Sequence, residues 1–217
     1  MTSQTSKEEI LKRIRDALTT ETKKPFPAES TEKSVYAENT ESLDVLFAKQ
    51  FSNVSGQFLY CEDDEDMLDK LVSLTKERKW NDVFCWESEL HDFLLEKNYT
   101  QCRIGKQIDK ADVGITLCEA LIARTGSILV SSKQSAGRIL SIYPPIHIAV
   151  AYTSQLVFDI ADGLEVIKKK YGENYPSMVS FITGPSRTAD IEKTLVLGAH
   201  GPKEVYVFLV EDNKRNN

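Results

Sequence analysis

The sequence predicts an α/β protein with a mostly parallel sheet that is covered by helices on both faces. From Ser42 onward, short apolar stretches alternate with helical patterns, which is typical of stacked strand–helix units. Continuous apolar stretches indicate strands that are buried on both sides, and they occupy residues 83–86, 146–152, 178–182 and 205–210. A chain of 217 residues is also long enough to bury about 70% of its unfolded surface.

Composition and charge exclude several classes of protein. Hydrophobic residues make up 41% of the chain and charged residues 28%, as in an ordinary globular protein. No apolar run exceeds six residues, which is much shorter than the roughly 18 residues of a membrane helix. The net charge of −6 disfavours nucleic-acid binding, which needs a concentrated basic surface. The N-terminus lacks the apolar core of a signal peptide, so we expect a cytoplasmic protein without a membrane span.

Residues 1–40 are predicted to form an N-terminal helix and a linker in front of an α/β domain at 41–217. Ser6 and Glu9 have the spacing of a capping box, and the helix that follows has one apolar stripe. That stripe must pack on its own domain or on another subunit, so a homo-oligomer through this helix is a prediction. Residues 19–40 contain two prolines among charged and hydroxyl-bearing residues, as a linker does.

The first half of the domain is predicted to contain two strand–helix units. A helix at 43–51 precedes a strand at 57–61. The next helix, 63–79, has acidic residues in its first turn and basic residues in its last turn, which suits the helix dipole. A strand at 83–86 and a short helix at 90–94 follow.

The second half begins with a predicted β-hairpin. Residues 112–116 form a strand, and residues 120–123 and 127–130 pair around a turn that holds Gly126.

Three further elements complete the prediction. Two prolines fix the entry to the strand at 146–152. A helical pattern then runs from 156 to 171 and stops at Gly172. The last strands are predicted at 178–183 and 205–210.

The four cysteines do not have the spacing of a metal or cluster site. Each lies in or beside an apolar stretch, so they are predicted to be buried thiols in a reducing cytoplasm: Cys61, Cys85, Cys102 and Cys118. No metal site and no cofactor are predicted for this chain. The glycine-rich, P-loop, serine-hydrolase and zincin motifs are also absent from the sequence.

The loop after the predicted strand at 178–182 is the best candidate for a ligand site. In open α/β sheets, ligands bind beyond the carboxyl ends of strands. Glycine permits close backbone approach, hydroxyls donate hydrogen bonds, and a guanidinium grips an anion with two hydrogen bonds. The residues are Gly184, Ser186, Arg187, Thr188 and Asp190. A tight turn in which Arg187 pairs with Asp190 or Glu192 is the alternative interpretation.

Other candidate residues lie elsewhere in the sequence. The turn Thr125-Gly126-Ser127 and His200 are predicted to lie close to Arg187 and to complete an anion site. Glu119 lies beside apolar strand residues, where burial would raise the pKa of its carboxyl group and suit a base or nucleophile. A surface carboxylate on an edge strand is the alternative for Glu119. His147, within an apolar stretch, is predicted to be a core or edge residue.

The sequences from Phe181 to Glu192 and from Leu195 to Pro202 resemble the signature of the LUD domain, the lactate-utilisation protein C family. Three further motifs follow in the order of that family: Gly114-Ile115-Thr116, Ala123-Arg124-Thr125-Gly126-Ser127 and Pro144-Pro145-x-His147. The resemblance extends over residues 112–212. Arg124 departs from the family, which usually has an acidic residue there, whereas Glu119 is retained. This reversal of charge puts in doubt any catalytic or cation-contacting role of the family's acid.

The resemblance implies a fold like those of ribose-phosphate isomerases and CoA transferases. It also implies a role in the cytoplasmic oxidation of L-lactate to pyruvate, together with iron–sulfur partner subunits. The first hypothesis is therefore a component of such a system that binds a small anionic ligand. The second is a free-standing enzyme on an anionic acyl or sugar-phosphate metabolite, with Glu119 as base or nucleophile and Arg187 as anion clamp. The third is a non-catalytic structural or regulatory subunit, so the sequence leaves enzymatic activity open.

Overall fold

A computed structural model of the protein describes residues 6–19, 40–105, 108–136, 139–188, 196–197 and 201–212. The chain divides into two compact units, residues 1–40 and 41–217. In the first unit, helix α1 (Ser6–Thr19) buries none of its residues.

The second unit alternates strands and helices in its first half. The elements are α2 (Leu43–Asn53), β1 (Gln57–Cys61), α3 (Asp64–Arg78), β2 (Val83–Cys85), α4 (Ser88–Glu96) and β3 (Cys102–Arg103). The helix α3 begins after Asp63, whose side chain accepts a hydrogen bond from the Asp66 amide. This is the usual way in which an aspartate satisfies the free amides of a first turn.

The second half is richer in strands. Its elements are β4 (Val113–Leu117), β5 (Ala120–Ile122), β6 (Ser127–Ser131), β7 (Ile146–Tyr152), β8 (Leu156–Val157), α5 (Ile160–Tyr171), β9 (Val179–Ile182), β10 (Arg187–Thr188), β11 (Val196–Leu197) and β12 (Glu204–Val210). The strand β10 pairs with β11. The predicted strand at 57–61 and the predicted hairpin around Gly126 are confirmed.

The main sheet has six strands in the order β1-β12-β7-β4-β2-β3. All of its neighbouring strands are parallel, which confirms the predicted sheet. One face packs against α3 and α4, through residues such as Leu71 and Leu94. The other face packs against α2 and the β5–β6 hairpin, through residues such as Phe51 and Leu121. Helices therefore lie on both faces, as predicted, and a second sheet shares one face with a helix.

That second sheet has the order β8-β5-β6-β9 and corrects two predictions. The strand β9 pairs antiparallel with β6 and is not part of the main sheet. Its residues are only partly buried, and Phe181 is 39% exposed. Residues 156–157 form β8 rather than the start of a helix, and α5 begins at Ile160, after the cap residue Asp159. An apolar pattern alone does not state which sheet a short strand joins.

The order of the strands creates a crevice at the carboxyl ends of β2 and β4. After β2 the chain passes through α4 to β3, on one side of β2. After β4 it passes through the hairpin to β7, on the opposite side of β4. The two connections diverge, and ligands of open α/β sheets bind at such a switch point.

We predict that a chain without residues 1–40 folds cooperatively, because the second unit contains all of the buried core residues that the structure describes. Thermal and urea unfolding of residues 41–217 should give a single transition close to that of the full chain. A truncated chain without a cooperative transition would show that the arm contributes to the core.

Candidate functional site

Two clefts lie at opposite ends of the strands of the main sheet, one at the amino ends and one at the carboxyl ends. The amino-edge cleft, of about 600 Å³, lies where β1 and β12 begin and is lined by Ser55, Gln57, Arg78, Arg187, Lys203 and Glu204 among other residues. The carboxyl-edge cleft, of about 260 Å³, lies at the crevice beyond β2, β4 and β7, and Glu87, Leu117, Lys133, Tyr152, Lys170 and Tyr171 line part of it.

Positive charge predominates in the amino-edge cleft. The carboxylate of Glu204 forms an ion pair with Arg78 and accepts a hydrogen bond from the Tyr206 hydroxyl at 2.7 Å. The Arg187 guanidinium donates to the Ser55 hydroxyl at 2.7 Å. Within the described residues, neither Arg187 nor Lys203 has an acidic partner within ion-pair distance. The cleft therefore offers two cations to an anion.

The loop that carries Arg187 is fixed by close backbone contacts. Gly184 has a φ of +77°, and a Cβ atom at this position would lie 2.2 Å from the Val54 carbonyl oxygen. Only glycine suits both this conformation and this approach. The Ser186 amide donates to the Pro202 carbonyl at 2.9 Å. The loop is thereby attached to the end of α2 and to the segment before β12.

The predicted turn at Thr125-Gly126-Ser127 is a neighbour of that loop. The Ser127 hydroxyl hydrogen-bonds to the Thr125 hydroxyl at 2.7 Å and to the Thr183 hydroxyl at 2.8 Å. A Cβ atom on Gly126, whose φ is +59°, would lie 2.4 Å from the amide nitrogen of Phe51. The turn and the loop therefore both pack against α2. Ser127 is buried, and its hydroxyl serves this internal contact.

The remaining predicted ligand residues are Thr188, Asp190 and His200. Thr188 lies in β10, while Asp190 and His200 lie outside the described residues. The predicted pairing of Arg187 with Asp190 lies outside them as well.

Glu119 lies at the opposite end of the second sheet, in a buried polar cluster. Its side chain has no exposed surface. One oxygen accepts from the Ser131 hydroxyl at 2.6 Å and the Tyr171 hydroxyl at 2.8 Å, and the other lies 2.8 Å from the Lys170 ammonium. A buried carboxylate is stable only when it is paired and hydrogen-bonded in this way. Both oxygens are engaged, and Glu119 holds Lys170 and Tyr171 at the wall of the carboxyl-edge cleft.

The charge of Glu119 shifts the pKa values of its partners. Burial alone would lower the pKa of Lys170, but the hydrogen bond and charge of Glu119 raise it above the ordinary value. Burial and the hydrogen bond to Glu119 raise the pKa of Tyr171. Lys170 is therefore a cation and Tyr171 a neutral donor at physiological pH.

The structure does not bring Glu119 and Arg187 to one site. Ser131 contacts Glu119, whereas Ser127 contacts the loop that leads to Arg187. These two serines are at opposite ends of β6, which spans about 13 Å at the usual rise of a strand. A base at Glu119 and a clamp at Arg187 therefore could not act on the same small metabolite.

Arg124 contacts the beginning of α5. Its Nε and one terminal nitrogen donate to the same oxygen of Asp159, at 3.1 Å and 2.6 Å. These bonds hold the pKa of Asp159 below its ordinary value, and Asp159 is the cap residue of the helix. Arg124 is thus part of the helix cap of α5.

Sequence reasoning missed the cation at Lys170. Lysines 168–170 lie in the last turn of α5, where their charges suit the helix dipole, and this accounts for them without a ligand. Lys170 lies three residues after the buried Ile167, which places it beside the apolar face of α5. This spacing is the feature of the sequence that could have indicated a partly buried lysine. Arg78 and Lys203 had no local signal, because only the fold brings them to the Arg187 loop.

The buried polar pair Thr116 and His147 lies between the two clefts, within the main sheet. Nε2 of His147 lies 2.9 Å from the Thr116 hydroxyl, and Nδ1 has no hydrogen-bond partner among the described residues. Complete burial lowers the pKa of His147 to about 4. The prediction that His147 is a core or edge residue is confirmed, because its side chain is fully buried.

The cysteines are buried free thiols, as predicted. Among the described residues, no group of three or more His, Cys, Asp or Glu side chains is arranged to hold a metal ion. Across those same residues, every helix is too short or too polar to span a bilayer.

The sequence profile of the LUD domain matches residues 45–210. Lactate utilization protein C of Bacillus subtilis is 37% identical over 109 residues, which are 49% of this chain and 45% of that protein. Lactate utilization protein C of Halalkalibacterium halodurans is 37% identical over 141 residues, which are 61% of each chain. The matches thus span from about half to three fifths of the length of these relatives.

A solved structure has the same fold. The crystal structure of a DUF162 family protein from Deinococcus radiodurans superposes with a TM-score of 0.59. The superposition covers 77% of this chain and 96% of that chain, at 18% sequence identity. At this identity the likeness concerns the fold alone.

We predict that His147 makes the protein less stable in acid. Its pKa of about 4 in the folded state is lower than the ordinary 6.5 of an unfolded chain, so only the unfolded state gains a proton between these values. The free energy of unfolding should therefore be highest above pH 6.5 and should fall by about 3 kcal/mol as the pH drops to about 4. Urea unfolding of the parent and of His147→Gln across this range measures the contribution.

The difference in unfolding free energy between the parent and His147→Gln at each pH separates the contribution of His147 from that of the carboxylates, which titrate in both proteins. The variant His91→Gln, which keeps His147, is the matched control for the replacement of one buried histidine by glutamine. An equally steep loss in His147→Gln would show that His147 is not responsible.

Proposed function

Because the chain belongs to the LUD domain family, we propose that it takes part in lactate utilisation, within a system that oxidises L-lactate to pyruvate. The observation that carries this proposal is the 37% identity to relatives named lactate utilization protein C. The segment matched by the family profile, residues 45–210, includes the lining residues of both clefts and all six strands of the main sheet.

In this proposal the amino-edge cleft binds a small anionic ligand. The two cations Arg187 and Lys203 favour an anion, and Arg78 neutralises the charge of Glu204, the acidic residue among the described residues of the cleft. Gly184 and Ser186 shape the loop, and a guanidinium can hold a carboxylate or phosphate with two hydrogen bonds. The turn at 125–127 holds the loop in place through the hydrogen bond between the Ser127 and Thr183 hydroxyls.

Partner proteins with iron–sulfur clusters complete the proposal. Oxidation of lactate to pyruvate removes two electrons and two protons, so the reaction requires an electron acceptor. We assign this task to iron–sulfur partners, because the family resemblance implies them. A homo-oligomer through the apolar stripe of α1 is a further part of the proposal.

We predict that disruption of the gene for this chain abolishes growth on L-lactate as the carbon source. Growth on pyruvate should be unchanged, because pyruvate enters metabolism after the proposed step. Growth rates on the two substrates, with and without a restored gene, measure the effect. Unimpaired growth of the disrupted strain on L-lactate would contradict the proposed role.

For the anion site, we predict that Arg187→Ala weakens the binding of inorganic phosphate at least about tenfold, because a charged hydrogen-bond partner is lost. The melting temperature should change little, since the Arg187 side chain is exposed and, among the described residues, donates one hydrogen bond, to Ser55. Calorimetric titration and thermal unfolding of the same variant separate binding from folding.

Arg103→Ala is the matched control, because Arg103 is an exposed arginine of the edge strand β3 and pairs with Asp82 outside the cleft. It should bind phosphate as the parent does. A variant at Arg187 that melts several degrees lower and binds phosphate normally would identify Arg187 as a structural residue of the loop.

A further inference from the structure

The carboxyl-edge cleft lies where a sheet of this topology binds ligands. Its floor is formed by the ends of β4 and β7, and Glu87 lies two residues after the end of β2. The connections after β2 and β4 diverge there, which is the arrangement of a switch-point crevice. Its volume of about 260 Å³ is below the range of drug-sized sites, so a small metabolite fits it best.

One wall of the cleft carries a positioned positive charge. Lys170 lies 2.8 Å from the fully buried carboxylate of Glu119, and its own side chain is 55% exposed. The ammonium has three donors, and the structure shows one of them directed to Glu119. Lys133 provides a second cation at the same cleft, with its ammonium 2.7 Å from the Asn174 side-chain oxygen. Both cations have donors left for a carboxylate.

A different wall carries a nearly buried acceptor. Glu87 is 7% exposed, and one of its oxygens accepts from the Ala136 amide at 3.1 Å. This bond also fixes the segment that carries Lys133 over the cleft. Among the described residues, no hydrogen bond is made to the other Glu87 oxygen. The cleft thus combines cations on one side with a carboxylate oxygen on another.

We propose that the carboxyl-edge cleft is a second ligand site, which takes a short carboxylic acid with a hydrogen-bond donor on the adjacent carbon. The carboxylate of the ligand pairs with Lys170 and Lys133, and its hydroxyl or ammonium donates to Glu87. Glu119 is a positioning residue that fixes Lys170. This proposal follows from the charges of the cleft and goes beyond the proposed anion site at Arg187.

The test is a calorimetric titration of the full chain with L-lactate, L-alanine and propionate. The three acids share a three-carbon skeleton and differ in the adjacent substituent, which is a hydroxyl, an ammonium or hydrogen. We expect L-lactate and L-alanine to bind at least about tenfold more tightly than propionate, because propionate leaves Glu87 without a donor. Glu87→Gln keeps the bond to the Ala136 amide and should reduce this preference.

Variants of the cation identify the place of binding. Lys170→Gln should weaken the binding of L-lactate and L-alanine at least about tenfold. Lys169→Gln, on the exposed side of the same helical turn, should bind as the parent does. If loss of Lys170 alone unfolds the protein, the double variant Glu119→Gln/Lys170→Gln removes both charges and leaves no buried unpaired carboxylate.

Three results would overturn the proposal. These are equal affinities in the Lys170→Gln and Lys169→Gln variants, equal affinities for propionate and L-lactate, or no binding of any of the three acids. Inorganic phosphate, which probes the amino-edge cleft, should not compete with L-lactate. The proposals for the two clefts can therefore be rejected independently of each other.

Discussion

The burial of both faces of β7 and β12 is the constraint on which the rest of the structure depends. These two strands pair over seven residues at the centre of the main sheet. Large side chains such as Ile148 and Phe208 face α3 and α4. Ala149 and Ala151 face the other way, and small residues there let α2 and the β5–β6 hairpin approach closely. Because both faces of the sheet are covered, polar side chains gather at the amino and carboxyl ends of its strands.

The sequence predicted the central strands well and the second sheet poorly, for physical reasons. The limits of β7 follow from a continuous apolar stretch that begins after two prolines. The strand β9 has a similar but shorter stretch, and its place depends on pairing with β6, fifty residues earlier in the chain. Leu156 and Val157 continue the apolar pattern of α5, yet their backbone pairs with β5. Pairing between distant segments is not encoded in local periodicity.

In the candidate sites too, the sequence indicated features that depend on neighbouring residues but not contacts between distant segments. The need for glycine at 126 and 184 was partly visible in the sequence as turns, although the backbone of α2 that requires it was not. Glu119 was recognised by its apolar neighbours, and its burial confirms that environment. Its partners Ser131, Lys170 and Tyr171 come from two other elements, so the sequence alone could not show the ion pair. For the same reason, the sequence could not show that Glu119 and Arg187, which the second hypothesis places on one metabolite, are linked to opposite ends of β6.

The arginine at position 124 is explained by the way α5 is attached to the hairpin. The helix spans 12 residues, or about 18 Å, and it is held to the hairpin at both ends. At its beginning, Arg124 binds the capping carboxylate of Asp159, and at its end Lys170 binds Glu119. An acid at the first end and a base at the last also suit the helix dipole. The hairpin therefore supplies the opposite charge at each end, and an acidic residue at position 124 would repel Asp159. The positive charge of Arg124 is thus matched to the cap of α5, and Lys170 is placed at the carboxyl-edge cleft by the same attachment.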